Sequence, residues 1–507
     1  MKASQRVFIN TIAQYVRTAI NMCLSLYTVR LVLLTLGQSD FGIYSLIAGL
    51  VAMLSFLTNS LVNTTQRFVS FYQGKGITEK VREVFNNSLV LHICIGVIVA
   101  SILEVLTPFL FDGFLNIPET RIDAAKVVFQ VVVVILFTTF VTAPFRALLI
   151  SHENIVYISI IDVMDGVLKV IFVTLMTMVS YDKLVFYALL MLGIQLFNFL
   201  ALSVYCYRKY EECCIPNPKR VTIKYFKELS SYAGWNVYMT GCIVGRQQGI
   251  AIILNRLMGP IVNAAYGIGF QIAGYTNFLS VSIVNAISPQ IIKAEGSGDR
   301  QRALWLSNVA CKFIFLLLAI VCVPCIFEID SILKWWLKDV PENANLFCIM
   351  VMCSLLCDSF SLGLAYINQA IGKIGAYSFT INTPKLVTLP AAIVMLKYGC
   401  DLFEIASMYV SIEMFCAVLR IYFIKRTAGL NVNLFIKDVV FKGIPPFAIC
   451  ILSSWICVNF MQFPYRFIIT FIISSIIYLL TFYLFGLTAK EHNIVNNIIT
   501  STTSKIK

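Results

Sequence analysis

Charged side chains are scarce in this sequence. Lys, Arg, Asp and Glu make up 13% of its 507 residues, whereas soluble domains carry about 25%. Hydrophobic residues reach 59%, and apolar runs fill nearly the whole chain. The composition therefore excludes a soluble protein, and it leaves no stretch long enough for a sizeable domain outside a membrane.

Patterns of catalytic and metal-binding residues are also missing. The three His are scattered, and no His/Cys group has the spacing of a zinc site. No Gly-x-x-x-x-Gly-Lys-Ser/Thr sequence occurs, which excludes ATP hydrolysis by a P-loop. Cys322 and Cys325 have redox spacing, but they lie in an apolar run without a thioredoxin-like pattern beside it. Because these catalytic and metal-binding patterns are missing, we expect a protein that is not an enzyme and that has no metal or cofactor. No cleavable signal peptide is evident either.

The net charge of +13 is distributed in a way that argues against nucleic-acid binding. Lys and Arg cluster in alternate loops, near 75–82, 208–227, 293–302 and 425–442. Basic loops of a membrane protein face the cytoplasm. Both termini are therefore predicted to be cytoplasmic, which requires an even number of membrane spans.

The predicted fold is all-α, with about 14 transmembrane helices. We expect a six-helix lobe over 1–208, a cytoplasmic connector over 209–225 and a second six-helix lobe over 226–430. Two extra helices and a cytoplasmic tail fill 431–507. The predicted spans lie near 8–36, 41–68, 86–111, 124–150, 155–180, 184–208, 226–255, 261–290, 302–327, 345–370, 374–397, 402–425, 438–461 and 464–487.

The stretch from Gly37 to Gly76 occurs twice in the chain. An offset of 222 residues places Gly37 on Gly259 and Tyr44 on Tyr266 without a gap. Both copies have a glycine turn, a long apolar run with an Asn near its end, and a Gly-x-Gly loop. An even number of spans separates them, so we expect parallel repeats with the working site at their interface.

Polar residues form stripes on four of the predicted spans. On the first helix they recur at positions i, i+4, i+7, i+11 and i+15, which is one helical face. These stripes predict a water-accessible cavity between the halves. Interhelical hydrogen bonding is the alternative for the amides. The stripes comprise Asn10, Gln14, Arg17, Asn21 and Ser25; Tyr232, Asn236 and Gln247; Ser55, Asn59, Asn63 and Gln66; and Asn277, Asn285 and Ser288.

Several charged residues fall inside predicted spans. Inserting an Arg into the membrane away from the helix ends costs a free energy of at least ~2.5 kcal/mol. Because such a cost is usually offset by a function, Arg17 and Arg246 are functional candidates. Arg30 lies nearer the outer end, where it can reach the interface. Lys385 follows Pro384, where a broken helix frees backbone groups toward a cavity. Together with the amides, these cations suit an anionic, hydroxyl-rich solute.

Carboxylates inside the spans have two interpretations. Asp165 and Lys169 have the spacing of an intrahelical ion pair, which would be a purely structural contact. In the functional interpretation Asp162 is partly unpaired, and Asp162 and Asp165 are candidates for coupling to a proton or another cation. Asp358 is a further candidate for ion coupling. Glu413 and Arg420 share a helix face and are expected to pair.

The chain resembles bacterial Wzx-type polysaccharide flippases, which belong to the superfamily that includes multidrug and toxic-compound exporters and lipid II flippases. The resemblance covers most of 1–430. The motifs that carry it are Leu36-Gly37-Gln38-Ser39-Asp40-Phe41-Gly42-Ile43-Tyr44, Thr65-Gln66-Arg67-Phe68, Ala147-Leu148-Leu149-Ile150-Ser151-His152-Glu153-Asn154, Ser288-Pro289-Gln290-Ile291-Ile292-Lys293 and Asn368-Gln369-Ala370-Ile371-Gly372-Lys373-Ile374.

The resemblance implies a flippase in the bacterial inner membrane. Its substrate would be an undecaprenyl-diphosphate-linked oligosaccharide for a surface polysaccharide such as O-antigen or capsule, moved to the periplasmic leaflet by alternating access. It also implies that Arg17 and Arg246 serve the diphosphate, and that the last two helices form a lipid groove. Polysaccharide polymerases and glycosyltransferases would be partners, and a proton or sodium gradient would be the energy source.

Two other classes of protein compete with a flippase. A cation-coupled multidrug antiporter of the same superfamily should have acidic rather than cationic cavity residues. A polysaccharide polymerase or ligase usually has a long periplasmic loop, whereas the longest outer loop predicted here, near 328–344, has only a helix-connection length.

Overall fold

The computed structural model describes residues 3–52, 54–111, 117–176, 181–213, 221–337, 340–461, 463 and 465–493, and these residues form helices and no strand. The predicted cytoplasmic tail beyond Asn493 and residues 214–220 of the predicted connector lie outside this part. The helices are α1 (Ala3–Ala52), α2 (Ser55–Gly74), α3 (Thr78–Phe109), α4 (Ile122–Ser151), α5 (Ile155–Met176), α6 (Lys183–Lys209), α7 (Ile223–Met258), α8 (Pro260–Gly296), α9 (Arg300–Phe327), α10 (Ile329–Leu337), α11 (Ala344–Ile371), α12 (Ile374–Leu386), α13 (Thr388–Lys397), α14 (Leu402–Ala428), α15 (Val432–Phe435), α16 (Lys442–Phe460) and α17 (Arg466–Thr481). Short π-helical segments, Ile436–Phe441 and Phe482–Gly486, flank α16 and α17.

The prediction of a polytopic all-α membrane protein is confirmed. Ten helical segments of the described chain are long and apolar enough to cross a membrane. The remaining four predicted spans coincide with α1, the α1–α2 region, α5 and α8. The 22 residues of α5 are strongly apolar apart from three charged side chains, and this charge sets α5 apart from the ten segments. The structure therefore has helices in each of the fourteen predicted positions.

The chain forms two compact units. The N-terminal unit is Phe8–Val237, and the C-terminal unit comprises the chain from Tyr238 onward together with the residues before Phe8. The helix α7 contributes its first part to one unit and its second part to the other. The lobe boundaries expected from the sequence stay a prediction.

The repeated stretch has the same backbone geometry in both copies. Gly37 breaks α1 with φ 78° and ψ 170°, and Gly259 precedes α8 with φ 91° and ψ 175°. Side chains disfavour this conformation, so glycine is needed at both turns. Gly76 and Gly298 also have positive φ, and each amide bonds the carbonyl three residues earlier at 3.0 Å. The repeat is therefore confirmed at these four positions.

In the N-terminal unit, α4 lies at the centre. It packs against α2, α3 and α6, and its apolar residues are buried on several faces, among them Phe129 and Phe140. A helix that is apolar all round belongs in an interior. The neighbouring helices thus assemble around α4.

In the C-terminal unit, α11 takes the central position, and it packs against α8, α9 and α14. Gly363 lets α11 approach α9 closely, because a Cβ at Gly363 would lie 2.4 Å from the Ser307 carbonyl oxygen. Small residues permit such close packing between membrane helices. The fourth predicted span of each lobe therefore lies at the centre of its unit.

The additional helices α16 and α17 pack against each other and against α9. The buried Glu328 accepts hydrogen bonds from Arg466 at 2.7 and 2.9 Å and from Thr470 at 2.9 Å. These contacts attach the start of α17 to the end of α9. Glu328 also precedes α10, a short helix in the region that the sequence predicts as an outer loop.

Candidate functional site

In the N-terminal unit, three helices bring charged residues together around Asp162. Arg17 of α1 donates to Asp162 Oδ2 at 2.7 Å. Arg146 of α4 donates to both carboxylate oxygens, at 3.0 and 2.7 Å. Asp162 on α5 thus joins α1 and α4 through two guanidinium groups.

Asp165 extends this group on α5. Its carboxylate pairs with Lys169 at 2.6 Å and accepts from Asn198 of α6 at 2.7 Å. The predicted Asp165–Lys169 pair is therefore confirmed. Gly166 directly follows Asp165 on the helix, and a Cβ there would lie 2.9 Å from Leu24 of α1. The absent side chain lets α1 approach α5. We call Arg17, Arg146, Asp162, Asp165 and Lys169 the N-cluster.

In the C-terminal unit, Glu413 of α14 lies between two cations. It accepts from Arg246 of α7 at 2.7 Å and from Lys385 of α12. The Arg246 guanidinium also stacks over the Tyr409 ring, 4.2 Å from its centroid. Arg246, Lys385 and Glu413 are all buried, so this arrangement is shielded from solvent.

Asp358 of α11 extends the same group. Arg420 of α14 donates to Asp358 at 2.8 Å and to Ser361 at 3.0 Å, and Lys385 Nζ lies 3.9 Å from Asp358 Oδ1. The helix is interrupted at Val387, since α12 ends at Leu386 and α13 begins at Thr388. We call Arg246, Asp358, Lys385, Glu413 and Arg420 the C-cluster.

The two clusters have the same charge balance. Each contains three cations and two carboxylates. In the C-cluster, Arg246 Nε and Arg420 Nε are buried without an acceptor among the described residues. One positive charge therefore stays uncompensated inside each cluster, and the low dielectric of a protein interior favours anions near it.

A pocket in the C-terminal unit has Asn or Gln as half of its lining residues, beginning at Gln247, which follows Arg246 in the chain. Its volume is about 390 Å³. Its floor includes the aromatic Tyr266, whose hydroxyl donates to the Gln247 carbonyl at 3.2 Å. The lining residues that carry polar or aromatic side chains are Gln247, Gln248, Asn263, Tyr266, Phe270 and Gln271. We call this the amide pocket.

The predicted polar stripes divide into exposed and buried parts. Asn59 and Asn63 of α2 are exposed, whereas Gln14 of α1 is buried. Asn236 is buried and donates to Thr64 at 3.0 Å, which is the interhelical bonding that the alternative interpretation expects.

Three other predicted site residues lie outside both clusters and the amide pocket. Asn21 is half-buried, with its Oδ1 enclosed and unbonded among the described residues. Asn285 is half-buried on α8. The Arg30 side chain lies outside the described residues.

Two pairings expected from the sequence are wrong. Asp162 is not partly unpaired, because Arg17 and Arg146 both bind it. Arg420 pairs with Asp358 rather than with Glu413. Arg146 was not among the predicted site residues, although an Arg within the predicted span 124–150 is the same signal that singles out Arg17.

Comparisons with solved structures define the class of fold. The chain is similar to a MATE protein in its bent conformation, with 12% identity and a TM-score of 0.72 over 87% of this chain and 99% of that one. It is also similar to a MOP superfamily transporter from Pyrococcus furiosus, with 12% identity and a TM-score of 0.71 over 85% of this chain and 96% of that one. The chain therefore shares the fold of these two proteins.

The sequence comparisons are more specific. The chain belongs to the polysaccharide biosynthesis protein family, which it matches over residues 4–295. It is 21% identical to the uncharacterized membrane protein EpsK of Bacillus subtilis (strain 168), over 85% of this chain and 86% of that protein. Family and fold agree with the expectation of a membrane transporter rather than an enzyme.

Proposed function

We propose that this protein is a flippase that moves undecaprenyl-diphosphate-linked oligosaccharide repeat units from the cytoplasmic to the periplasmic leaflet by alternating access. The observation that carries the proposal is the excess of one cation in both the N-cluster and the C-cluster. The polysaccharide biosynthesis family supports a glycan substrate. The product would serve surface polysaccharide synthesis.

The N-cluster would contact the diphosphate directly. The Arg146 side chain is 36% exposed, whereas that of Arg17 is 17% exposed. A guanidinium group presents paired N–H donors that match phosphate oxygens. Arg146 would therefore contact the diphosphate, and Arg17 would hold Asp162 in place beside it.

The C-cluster would act differently. The Arg246 side chain is only 8% exposed, and Glu413 and Tyr409 hold it on two sides. Its uncompensated charge would attract an anion through the field of the cluster rather than by direct contact. Arg17 and Arg246 are thus expected to serve the diphosphate without contacting it, since Arg17 positions Asp162 and Arg246 adds to the field of the C-cluster.

The amide pocket suits the sugar portion of this substrate. Side-chain amides donate to and accept from hydroxyl groups, and the Tyr266 and Phe270 rings provide flat apolar surfaces. Exposed amides are unfavourable against lipid. The exposed Asn59 and Asn63 on α2 therefore also favour a water-filled path for a hydroxyl-rich solute.

The alternative of a cation-coupled multidrug antiporter fits the clusters less well. A cationic drug would need an available carboxylate inside the membrane. Asp162, Asp165, Asp358 and Glu413 each have at least one cationic partner. A cationic drug would first have to displace the Arg or Lys that is already paired with the carboxylate, and this displacement costs free energy. An anionic substrate is therefore favoured.

The remaining parts of the proposal follow the family. The protein would lie in the bacterial inner membrane with both termini in the cytoplasm, and it would work with polysaccharide polymerases and glycosyltransferases. A proton or sodium gradient would drive transport. Protonation of Asp162, Asp165 or Asp358 would release its cationic partner, which links ion uptake to the charge available for the substrate.

Deletion in the native host tests the proposal. Lipid-linked repeat units should accumulate on the cytoplasmic leaflet, and surface polysaccharide should be lost. A plasmid copy of the wild-type gene should restore both. Loss of resistance to cationic drugs, with surface polysaccharide unchanged, would contradict the flippase and favour the antiporter.

A further inference from the structure

A charged cleft lies in the C-terminal unit, and no residue of the C-cluster lines it. Three segments form it: the start of α9, the connection between α14 and α16, and residues 488–493. Its volume is about 1350 Å³, which is large enough for a lipid headgroup. We call it the terminal cleft.

The terminal cleft is lined by more cations than acids. Five Lys or Arg and three Asp or Glu contribute to its surface. At its floor, Lys312 pairs with Glu491 at 2.7 Å, and both side chains are buried. Lys442 donates to the Leu487 carbonyl at 2.6 Å. These two contacts already connect α9 and α16 to the chain segment after α17.

Three cations of the cleft are left without a counterion. Arg302, Lys437 and Lys490 are exposed, and their side chains form no ion pair within the described part of the chain. Asn308 also lines the cleft, and its Oδ1 is enclosed without a donor among the described residues. The cleft therefore offers three positive charges for an anion and one acceptor for a hydroxyl group.

The cleft lies at the ends of membrane-spanning helices. Arg300 begins α9, Ala428 ends α14, Lys442 begins α16, and Gly486 ends the π segment after α17. The basic loops predict that this end faces the cytoplasm. Basic pockets at this depth bind anionic headgroups, because the cytoplasmic leaflet supplies them at high local concentration.

We propose that the terminal cleft binds the phosphate of an anionic phospholipid whose headgroup carries a hydroxyl, such as phosphatidylglycerol. Arg302, Lys437 and Lys490 hold the phosphate, and Asn308 accepts from the headgroup hydroxyl. The lipid then bridges α9, the connection before α16 and the segment after α17. It stabilises the attachment of the last two helices to the rest of the unit. This site is independent of the proposed transport substrate.

Native mass spectrometry of the full chain in detergent tests the site. The probes are phosphatidylglycerol and phosphatidylcholine of the same acyl composition. Each surface cation strengthens binding to an anionic lipid roughly fivefold, so the Arg302→Gln/Lys437→Gln/Lys490→Gln variant should bind phosphatidylglycerol on the order of 100-fold more weakly. Phosphatidylcholine binding should not change.

The matched control is Lys209→Gln/Lys224→Gln/Lys227→Gln. It removes three exposed cations from the same predicted side of the membrane, outside the cleft. This control should keep the wild-type preference for phosphatidylglycerol. An equal loss in both triple variants would overturn the site, since it would show only a general effect of charge.

A melting experiment gives a second readout. Phosphatidylglycerol should raise the melting temperature of the wild type and the control, but not that of the cleft variant, whose fold is checked by its melting in phosphatidylcholine. Soluble glycerol phosphate is added as a competitor. If it displaces the lipid at equal concentration, the cleft recognises phosphate without the membrane and the lipid proposal is wrong. Unchanged phosphatidylglycerol binding by the cleft variant would also overturn it.

Discussion

Arg146 and Asp162 form a bidentate ion pair between α4 and α5, with nitrogen–oxygen distances of 2.7 and 3.0 Å. Arg17 binds the same carboxylate at 2.7 Å. One carboxylate therefore neutralises only one of two guanidinium groups. Because Arg146 is the more exposed of the two, it is the cation that a substrate phosphate would meet.

The first prediction concerns Arg146. Arg146→Ala should reduce surface polysaccharide export at least about tenfold at normal protein level, since a charged hydrogen bond contributes roughly 1.5–3 kcal/mol. The protein should stay folded, because Arg17 still neutralises Asp162. Arg146→Lys should be intermediate, since Lys cannot form the paired contact. Export is measured by polysaccharide staining of complemented deletion cells.

The control for Arg146 is Lys126→Ala. Lys126 is exposed on the same helix, α4, and lies outside both clusters. Its removal should leave export unchanged. Equal export by the Arg146→Ala and wild-type proteins would mean that Arg146 does not contact the diphosphate.

The second prediction tests the coupling of Arg17 to Asp162. Asp162→Asn should lower the free energy of unfolding by about 1–3 kcal/mol, because two guanidinium groups lose their counterion. Adding Arg17→Gln should restore part of this loss. Unfolding in mixed micelles gives the four free energies of a double-mutant cycle. Strictly additive effects would show that the two residues do not interact.

The third prediction concerns the buried centre of the C-cluster. Glu413→Gln leaves Arg246 and Lys385 without their common carboxylate, and removal of one partner of a buried pair costs about 3–5 kcal/mol. The melting temperature in detergent should fall accordingly. Glu404→Gln, on the exposed start of α14, is the control and should have a much smaller effect. Similar melting of both variants would contradict the buried network.

Local sequence rules anticipated the features that depend on nearby residues. The 222-residue offset pairs Gly37 with Gly259, and both adopt the left-handed conformation that their turns need. The Asp165–Lys169 pair follows from helical spacing alone. These features need no knowledge of which helices are neighbours.

Features that depend on helix packing were not predictable in this way. Arg146 reaches Asp162 only because α4 packs beside α5, and 16 residues of sequence separate them. Arg420 shares a helix face with Glu413, yet Asp358 on the neighbouring α11 is its partner. The residues of α10 are expected to form part of an outer loop, because nine residues are too few to span a membrane.

The fourth prediction concerns pH and Glu328. Burial would raise the pKa of Glu328, but hydrogen bonds from Arg466, Thr470 and Ser331 outweigh it and hold this pKa below its ordinary value of 4.5. The stabilisation is therefore complete above pH 4.5 and is lost as the pH falls through the lowered pKa. Glu328→Gln should lower the melting temperature strongly at neutral pH, and this effect should shrink as the pH falls below 4.5.

The control for Glu328 is Glu342→Gln, which changes an exposed carboxylate in the same region. It should have a small effect at both pH values. A Glu328→Gln effect of equal size at neutral and acidic pH would mean that the ionised carboxylate does not provide the stabilisation.

The central claim is that the cation-rich clusters move a lipid diphosphate, and reconstitution tests it most directly. The purified protein is placed in liposomes with a fluorescent undecaprenyl-diphosphate oligosaccharide, and its transfer between leaflets is followed by loss of fluorescence to an impermeant quencher. We predict rapid transfer by the wild type and at least about tenfold slower transfer when Arg17 and Arg146 are both replaced by Ala. Transfer at the rate of protein-free liposomes, together with proton-driven uptake of a cationic dye, would contradict the account.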